Sequence, residues 1–333
     1  MLDKFLQYFR VSDWLDSKVP FMAGVLLFSL WFGNNQISDG RLYLLFIVYL
    51  IYVSMFLAFS YVINDYTDLE VDRAAGKQKV MHSLPKSLVL SSLFAMVVVG
   101  CVPLYFYVSN KLLYICFTAF MYLCGAAYSV RGLLRFKERG FVGLLECSVA
   151  QKCLPMIPIL FVCAVPMLEF VLLLSASFIN GLRYILIHQA IDLQNDKKTG
   201  VKTFVSEKNI NLRRWIIVAL LVEVALLSVV FIKICIVHPA VALFLALYVL
   251  LEYVIAIVVV KYMSVDLLCT YLAVPLEALY NVFFPLIIAI ILCVDNYRAL
   301  GIPITIAALV VKCFLGKAAF VKVFFQTAFR KEK

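Results

Sequence analysis

Apolar residues run along this chain in long blocks, without the short polar alternation that marks a strand or helix half exposed to water. A helix needs about 20 mostly apolar residues to cross a hydrocarbon core of roughly 30 Å. Nine blocks approach or reach that length: residues 19–32, 42–63, 88–108, 112–130, 141–165, 167–191, 215–237, 240–260 and 271–294. A tenth, residues 300–320, contains Lys312 and Lys317 and reads as a last crossing or as an interfacial helix. The predicted fold is all-α: a polytopic membrane helical bundle of about nine spans, with the tenth C-terminal or interfacial. Residues 1–18 are charged and carry no A-x-A site before the first block, so they predict a juxtamembrane segment and not a signal peptide. Residues 19–294 then form the intramembrane domain, and residues 295–333 an extra helix with a basic tail.

The polar connections between the blocks alternate in charge. Lys4, Arg10 and Lys18 precede the first block; Arg73, Lys77, Lys79 and Lys86 follow the second; Arg131, Arg135, Lys137 and Arg139 follow the fourth. Lys197, Lys198, Lys202, Lys208, Arg213 and Arg214 follow the sixth, whereas the intervening connections hold little beyond Arg41 and Lys111. The positive-inside rule makes the basic set cytoplasmic, N-terminus included. Nine spans would leave Arg330, Lys331 and Lys333 outside, and a tenth crossing would repair this. The expected location is a bacterial plasma membrane.

Composition narrows the classes. The chain of 333 residues is 65% hydrophobic and 15% charged, against about 45–50% and about 25% in soluble domains, which excludes a soluble enzyme. Its 10 cysteines are scattered through apolar blocks with no CxxC, so they read as reduced packing residues. The three histidines, His82, His188 and His238, have no partner at metal-ligand spacing, so any metal must be held by oxygen. The net charge of +10 belongs to the loops of a membrane protein, with no nucleic-acid partner implied.

Most of the aspartates outside the N-terminal segment cluster where the second and sixth blocks end. After the second comes Asn64-Asp65-Tyr66-Thr67-Asp68-Leu69-Glu70-Val71-Asp72. At roughly 100° per residue, Asp65, Asp68 and Asp72 fall within an arc of about 60°, with Asn64 one turn below Asp68. After the sixth comes Asp192-Leu193-Gln194-Asn195-Asp196, with two aspartates at i, i+4 on one face. Like charges on one face repel unless a multivalent cation sits between them. Mg²⁺ suits such a site, being commonly held by one or two carboxylates together with substrate phosphates. Solvated helix-end carboxylates would explain one such motif, but two at equivalent membrane depth favour a metal. Arg131, Arg135, Lys137 and Arg139, and Lys77 and Lys79 past the first motif, supply cations that either clamp phosphate oxygens or only orient the protein.

These residues resemble the UbiA superfamily of intramembrane prenyltransferases. Its first signature, NDxxDxxxD, is matched by Asn64, Asp65, Asp68 and Asp72; the second, DxxxD, by Asp192 and Asp196 before a Gly-containing stretch from Lys197 to Thr203. The segment Tyr128-Ser129 to Arg135-Phe136-Lys137-Glu138-Arg139-Gly140 is also similar, and the likeness runs from Trp14 to Val294. The longer second signature, YxxxKDxxDxxGD, is not met: Ile187 and Ile191 stand at its Tyr and Lys, and Asn195 at its third acidic place.

The resemblance implies Mg²⁺-dependent transfer of an isoprenyl group from a prenyl diphosphate to a membrane-accessible, aromatic acceptor, with no protein partner. It places Asn64, Asp65, Asp68, Asp72, Asp192 and Asp196 on the metal, the five aspartates being catalytic. Asn64, Lys77, Tyr128, Arg135, Lys137, Arg139 and Lys197 then fall on the substrate. Tyr61, Tyr122, Tyr128 and Tyr184 are candidates to face cationic character on the allylic carbon, in a water-poor cavity that protects it from hydrolysis. Phosphoribosyl or glycerol-phosphate-lipid transfer within the same superfamily is the runner-up. An ion-coupled transporter would bury acids mid-span, which only Glu223, Glu252 and Glu146 approach. A CDP-alcohol phosphotransferase needs a glycine that the stretch from Asp68 to Asp72 lacks.

Overall fold

The computed structural model describes residues 2–33, 39–74, 76, 79–130, 134–199, 203–207, 211–262 and 276–311, and among them it is helical throughout apart from one isolated bridge. A short helix α1 (Leu2–Tyr8) leads to α2 (Val19–Phe32) and the long α3 (Asp39–Thr67). After α4 (Leu69–Ala74) come α5 (Lys86–Tyr105) and α6 (Lys111–Ser129). The apolar block 141–165, expected to be one span, is a string of shorter pieces. These are α7 (Gly140–Ser148), a π turn (Val149–Cys153), a 3-10 turn (Leu154–Met156) and α8 (Ile159–Val162). Pro155 and Pro158 account for the breaks, since neither donates a backbone hydrogen bond and each crowds the preceding turn. The string still runs as one apolar unit, Gly140–Val162.

The second half holds α9 (Met167–Thr199), α10 (Phe204–Glu207), α11 (Leu212–Val237) and α12 (Ala240–Tyr262). A π turn (Leu279–Phe283) then feeds α13 (Phe284–Asp295), and α14 spans Gly301–Val311. Six helical units are long and apolar enough to cross a membrane, with Val19–Phe32, Ala240–Leu250, Leu279–Asp295 and Gly301–Val311 as shorter apolar helices. Each of the ten blocks of the sequence thus contains helix where it is described, the fifth in pieces. Lys312, Lys317 and the basic tail lie outside the described residues.

α3 pairs with α5 and α6, α9 with α11 and α7, and α2 with α13. The lipid-facing sides of α5, α11 and α12 leave residues such as Phe94, Leu221 and Leu247 exposed, which in water would be a liability and in lipid is the expected surface. α3 has 29 residues and α9 has 33, or about 44 and 50 Å at 1.5 Å per residue. Both outrun a hydrocarbon core of roughly 30 Å. The last turn of α3 begins the first acidic motif, which runs on into α4, and the surplus turns of α9 carry the second.

Between α9 and α11 lies a fully buried ion pair. Arg183 Nε donates to Glu223 Oε1 at 2.6 Å and its Nη2 to Oε2 at 3.1 Å, while Asn180 Nδ2 donates to Oε2 at 3.2 Å. Glu223, the mid-span acid that a transporter reading singles out, is therefore neutralised by a fixed partner. Glu223→Ala leaves the Arg183 charge uncompensated in a low-dielectric site, at a cost of about 3–5 kcal/mol. The expected result is a clearly lower thermal midpoint in detergent; an unchanged midpoint would show that the pair contributes no stability.

Candidate active site

The first motif straddles the junction of α3 and α4, with Asp68 as the turn residue between them, and helical hydrogen bonds carry across it. The amide of Asp68 donates to the Asn64 carbonyl at 3.1 Å and that of Asp72 to the Asp68 carbonyl at 2.8 Å, so the three aspartates keep the common face read from their spacing. Asn64, Asp65, Asp68 and Asp72 line a cavity of about 870 Å³, and Asp192 of the second motif lines the same cavity. Two motifs 120 residues apart in the chain thus meet because α3 and α9 both project past the membrane core at the same end of the bundle.

Cations interleave with these acids. Lys79 Nζ bridges Asp65 Oδ1 at 2.7 Å and Asp72 Oδ2 at 2.6 Å. Burial works against its charge, but these two partners outweigh it and raise the Lys79 pKa above its usual value. Lys137 donates to Asp68, and also to Asn64 Oδ1 at 3.4 Å; there burial prevails and lowers its pKa. Arg135 reaches Asp68 at 3.7 Å and is held by Glu138 at 2.6 Å. Asn64 Oδ1 also accepts from Ser129 Oγ at 3.0 Å, which ties the first motif to the end of α6.

The basic turn is positioned by backbone shape. Arg135 has φ 41° and Gly140 φ 51°, two left-handed residues that fold 136–138 back as a 3-10 turn against α7. That return is so tight that a Cβ on Gly143 would meet the Phe136 carbonyl oxygen at 2.0 Å and Lys137 Cα at 3.3 Å. Backbone cannot yield this distance without moving the turn. Gly143→Ala is therefore expected to displace Lys137 and weaken prenyl diphosphate binding at least tenfold, read by equilibrium binding to the purified protein. Undiminished binding would mean that the turn is not needed where it stands.

The second motif is anchored through its own helix. His188 Nδ1 and Asp192 Oδ2 are 3.0 Å apart, one turn of α9, and both line the cavity. Gln189 Oε1 accepts from the Val205 amide at 3.3 Å, and Thr203 pairs with Gly140 in the isolated bridge, so the connection after α9 closes against the start of α7. α9 continues to Thr199 without a break at the motif. The side chains of Asp196 and Lys197, and the whole of Lys77, lie outside the described residues.

Not every predicted residue comes to the cavity. Tyr61 and Tyr128 line it, but Tyr122 is buried against Phe56 and Phe59 and acts as packing. Tyr184 lies between Lys152 and Arg183, whose cations stand 5.2 and 5.4 Å from its ring. Arg139 is exposed, with its guanidinium 5.9 Å from the Phe136 ring, and does not line the cavity. The basic turn bends Lys137 inward and leaves Arg139 on the outer side.

Two cavity residues, Arg10 and His188, have no place among the candidates read from sequence, and a third, Lys79, is named there only together with Lys77. Arg10 Nη1 donates to Asp65 Oδ1 at 3.2 Å, and its guanidinium lies 4.8 Å from the Tyr61 ring centre. Burial opposes its charge, but Asp65 and Asp13 outweigh it and raise its pKa. No local pattern marks Arg10, because its partner is 55 residues away. Lys79 stood beside Lys77 with nothing in the sequence to separate them. His188 was legible, being four residues before Asp192 on a helix.

Whether these residues suit a divalent ion is a matter of donor chemistry. The set is all hard oxygen: one amide carbonyl in Asn64 and the carboxylates of Asp65, Asp68, Asp72 and Asp192. Among the described residues no three ligating side chains converge tightly enough to hold an ion unaided. Mg²⁺ does not require that, since it usually keeps several waters and shares its site with substrate phosphates. The donors therefore fit Mg²⁺ bound together with a diphosphate.

A bundle of apolar helices with paired acidic motifs around one cavity defines an intramembrane protein of a particular class. A sequence model of the UbiA prenyltransferase family matches residues 21–267, and the chain belongs to that family. It is accordingly an integral membrane protein of prenyltransferase type. No curated protein matches the chain. Among solved structures it is similar to a UbiA homologue from Archaeoglobus fulgidus bound to GPP and Mg²⁺, at 17% identity and TM-score 0.55, covering 86% of this chain and 99% of that one. The same homologue bound to DMAPP and Mg²⁺ gives 17% identity and TM-score 0.55, with 86% and 98% covered. The apo UbiA homologue from Aeropyrum pernix K1 gives 15% identity and TM-score 0.50, with 84% and 97% covered. At these identities the likeness is one of fold.

Proposed function

We propose that the protein transfers an isoprenyl group from a prenyl diphosphate to an aromatic acceptor within the membrane, in a reaction that needs Mg²⁺. The observation that carries this reading is the meeting of Asp65, Asp68, Asp72 and Asp192 with Arg10, Lys79, Arg135 and Lys137 around one cavity in a membrane bundle. A polyanionic head on an apolar tail matches such a place. The solved relatives that hold GPP or DMAPP with Mg²⁺ support the donor class.

Asn64 and the four aspartates would hold the ion, which when bound supplies positive charge to a departing diphosphate. The protein's own contribution is electrostatic and positional. Lys137 and Arg135 are fixed by Asp68, Ser129 and Glu138 before substrate arrives, so they meet developing negative charge without reorganising. Tyr61 and Tyr128 present aromatic surface on the same cavity, suited to an allylic carbon with cationic character. The lipid-embedded helices below it exclude water from that carbon.

Incubation of membranes containing the protein with labelled geranyl, farnesyl and geranylgeranyl diphosphates tests this reading. The acceptor panel comprises 4-hydroxybenzoate, 1,4-dihydroxy-2-naphthoate, homogentisate and a glycerol phosphate lipid. A labelled prenylated ring is the expected product. Labelled glycerol lipid in its place would move the protein to the runner-up chemistry, and no labelled product from any pair would overturn the reading.

A further inference from the structure

One carboxylate on the cavity wall, Glu146, belongs to neither motif and, among the described residues, to no ion pair. Glu146 lies on α7, six residues past Gly140, which at 1.5 Å per residue is about 9 Å along the helix from the basic turn. Its side chain lines the cavity that holds Asp68, Lys137 and Tyr128. Both of its carboxylate oxygens are buried and have no hydrogen-bond partner among the described residues. The cavity's other glutamate, Glu138, is met by Arg135, and the buried acids elsewhere in the bundle have partners too, Glu223 in Arg183 and Glu169 in Lys233. The titratable groups that face Glu146 are Tyr128 and Cys124 of α6 and the adjacent Cys147, none of them cationic.

A buried carboxylate left without a partner is costly, and native proteins retain such a group where something else supplies the missing bond. Here the residue borders the substrate cavity, and what a carboxylate lacks is a proton donor. Glutamate has three side-chain torsions with which to turn its oxygens toward an incoming group. The position also suits the chemistry, because the diphosphate is held at the turn and the reacting carbon lies toward the membrane from it.

We infer that Glu146 is the acceptor-side group of this site: it accepts a hydrogen bond from a hydroxyl of the acceptor and takes that proton during transfer. The inference rests on the prenyl-transfer reading. As the allylic C–O bond breaks, its electron pair leaves with the diphosphate. The ring carbon beside the acceptor hydroxyl supplies the pair for the new bond to that carbon as the hydroxyl proton passes to a Glu146 oxygen. The ring C–H proton then moves to the ring oxygen, restoring the aromatic ring and its hydroxyl, and Glu146 releases its proton to solvent. A deprotonated acceptor is a far better nucleophile than the hydroxyl itself, and a positioned base contributes typically 10²–10⁴-fold.

The test uses the purified full-length protein with Mg²⁺, geranylgeranyl diphosphate and whichever panel acceptor the wild type prenylates. Glu146→Gln keeps the shape and removes the base; Glu146→Asp keeps the acid at shorter reach. For Glu146→Gln we expect kcat/KM for the acceptor to fall about 100-fold or more, with the Kd for geranylgeranyl diphosphate within about twofold of wild type. Glu146→Asp should restore part of the rate, and the thermal midpoint of Glu146→Gln should be no lower than that of wild type. Wild-type acceptor kinetics in Glu146→Gln would overturn the inference, as would an equal loss of donor affinity, which marks a structural role. If the wild type binds no prenyl diphosphate or prenylates no panel member, the functional reading itself fails and takes this inference with it.

Discussion

Asp68→Ala is expected to abolish prenyl transfer in a protein that still inserts and folds. Asp68 faces the cavity from the middle of the first motif and is the carboxylate on which Lys137 and Arg135 converge. On the proposed reading its loss removes a metal ligand, and it unfastens both cations at once, so the damage exceeds that of one hydrogen bond. Removing one member of a site that acts as a unit costs nearly as much as removing several. A fall of about 10³-fold or more in turnover is the expected size, equivalent to roughly 4 kcal/mol of transition-state stabilisation. Folding should survive, because Asp68 sits at the polar end of α3 and is absent from the buried core. Turnover within tenfold of wild type, measured on protein of normal thermal midpoint, would remove the motif from the mechanism.

The second large effect separates two neighbours in the basic turn. Lys137→Gln is expected to lower prenyl diphosphate affinity or turnover by about ten- to a hundredfold, the equivalent of one or more charge-assisted hydrogen bonds of about 1.5–3 kcal/mol. Arg139→Gln, two residues away, should be nearly silent, because Arg139 is exposed against Phe136 and off the cavity. Both variants lose one positive charge from the same connection, so an effect on membrane orientation would strike them equally. Assay of the two side by side in the same membranes decides between a phosphate clamp and a topological signal. Equal losses, or no loss in either, would return Lys137 to the topological role.

The sequence made the bundle legible because membrane spans leave the strongest of all hydrophobic patterns: every one of the ten apolar blocks contains helix where described. It did not show that the fifth block is broken, since Pro155 and Pro158 sit in a run whose hydropathy stays high throughout. The shared face of Asp65, Asp68 and Asp72 followed from helical spacing alone, and the fold preserved it across the junction of α3 and α4. Choosing among cations was harder. Arg135, Lys137 and Arg139 look alike in sequence, and only the left-handed backbone at Arg135 and Gly140 sends one of them inward and one outward. Arg10 was invisible for a different reason, as its role arises from a contact that crosses the first two spans. Glu146 carried no motif at all; its interest lies in an absent partner, which only packing reveals.

The claim at the centre of this account is that one cavity binds a prenyl diphosphate through acids, a divalent ion and a basic turn acting together. Equilibrium binding of labelled geranylgeranyl diphosphate to the purified protein, with Mg²⁺ and then with EDTA, measures it most directly. Saturable binding is expected with Mg²⁺, weakened on the order of 100-fold by chelation because the carboxylates then face the diphosphate without an intervening ion, and restored when Mg²⁺ is returned in excess. Equal affinity with and without the ion would contradict it.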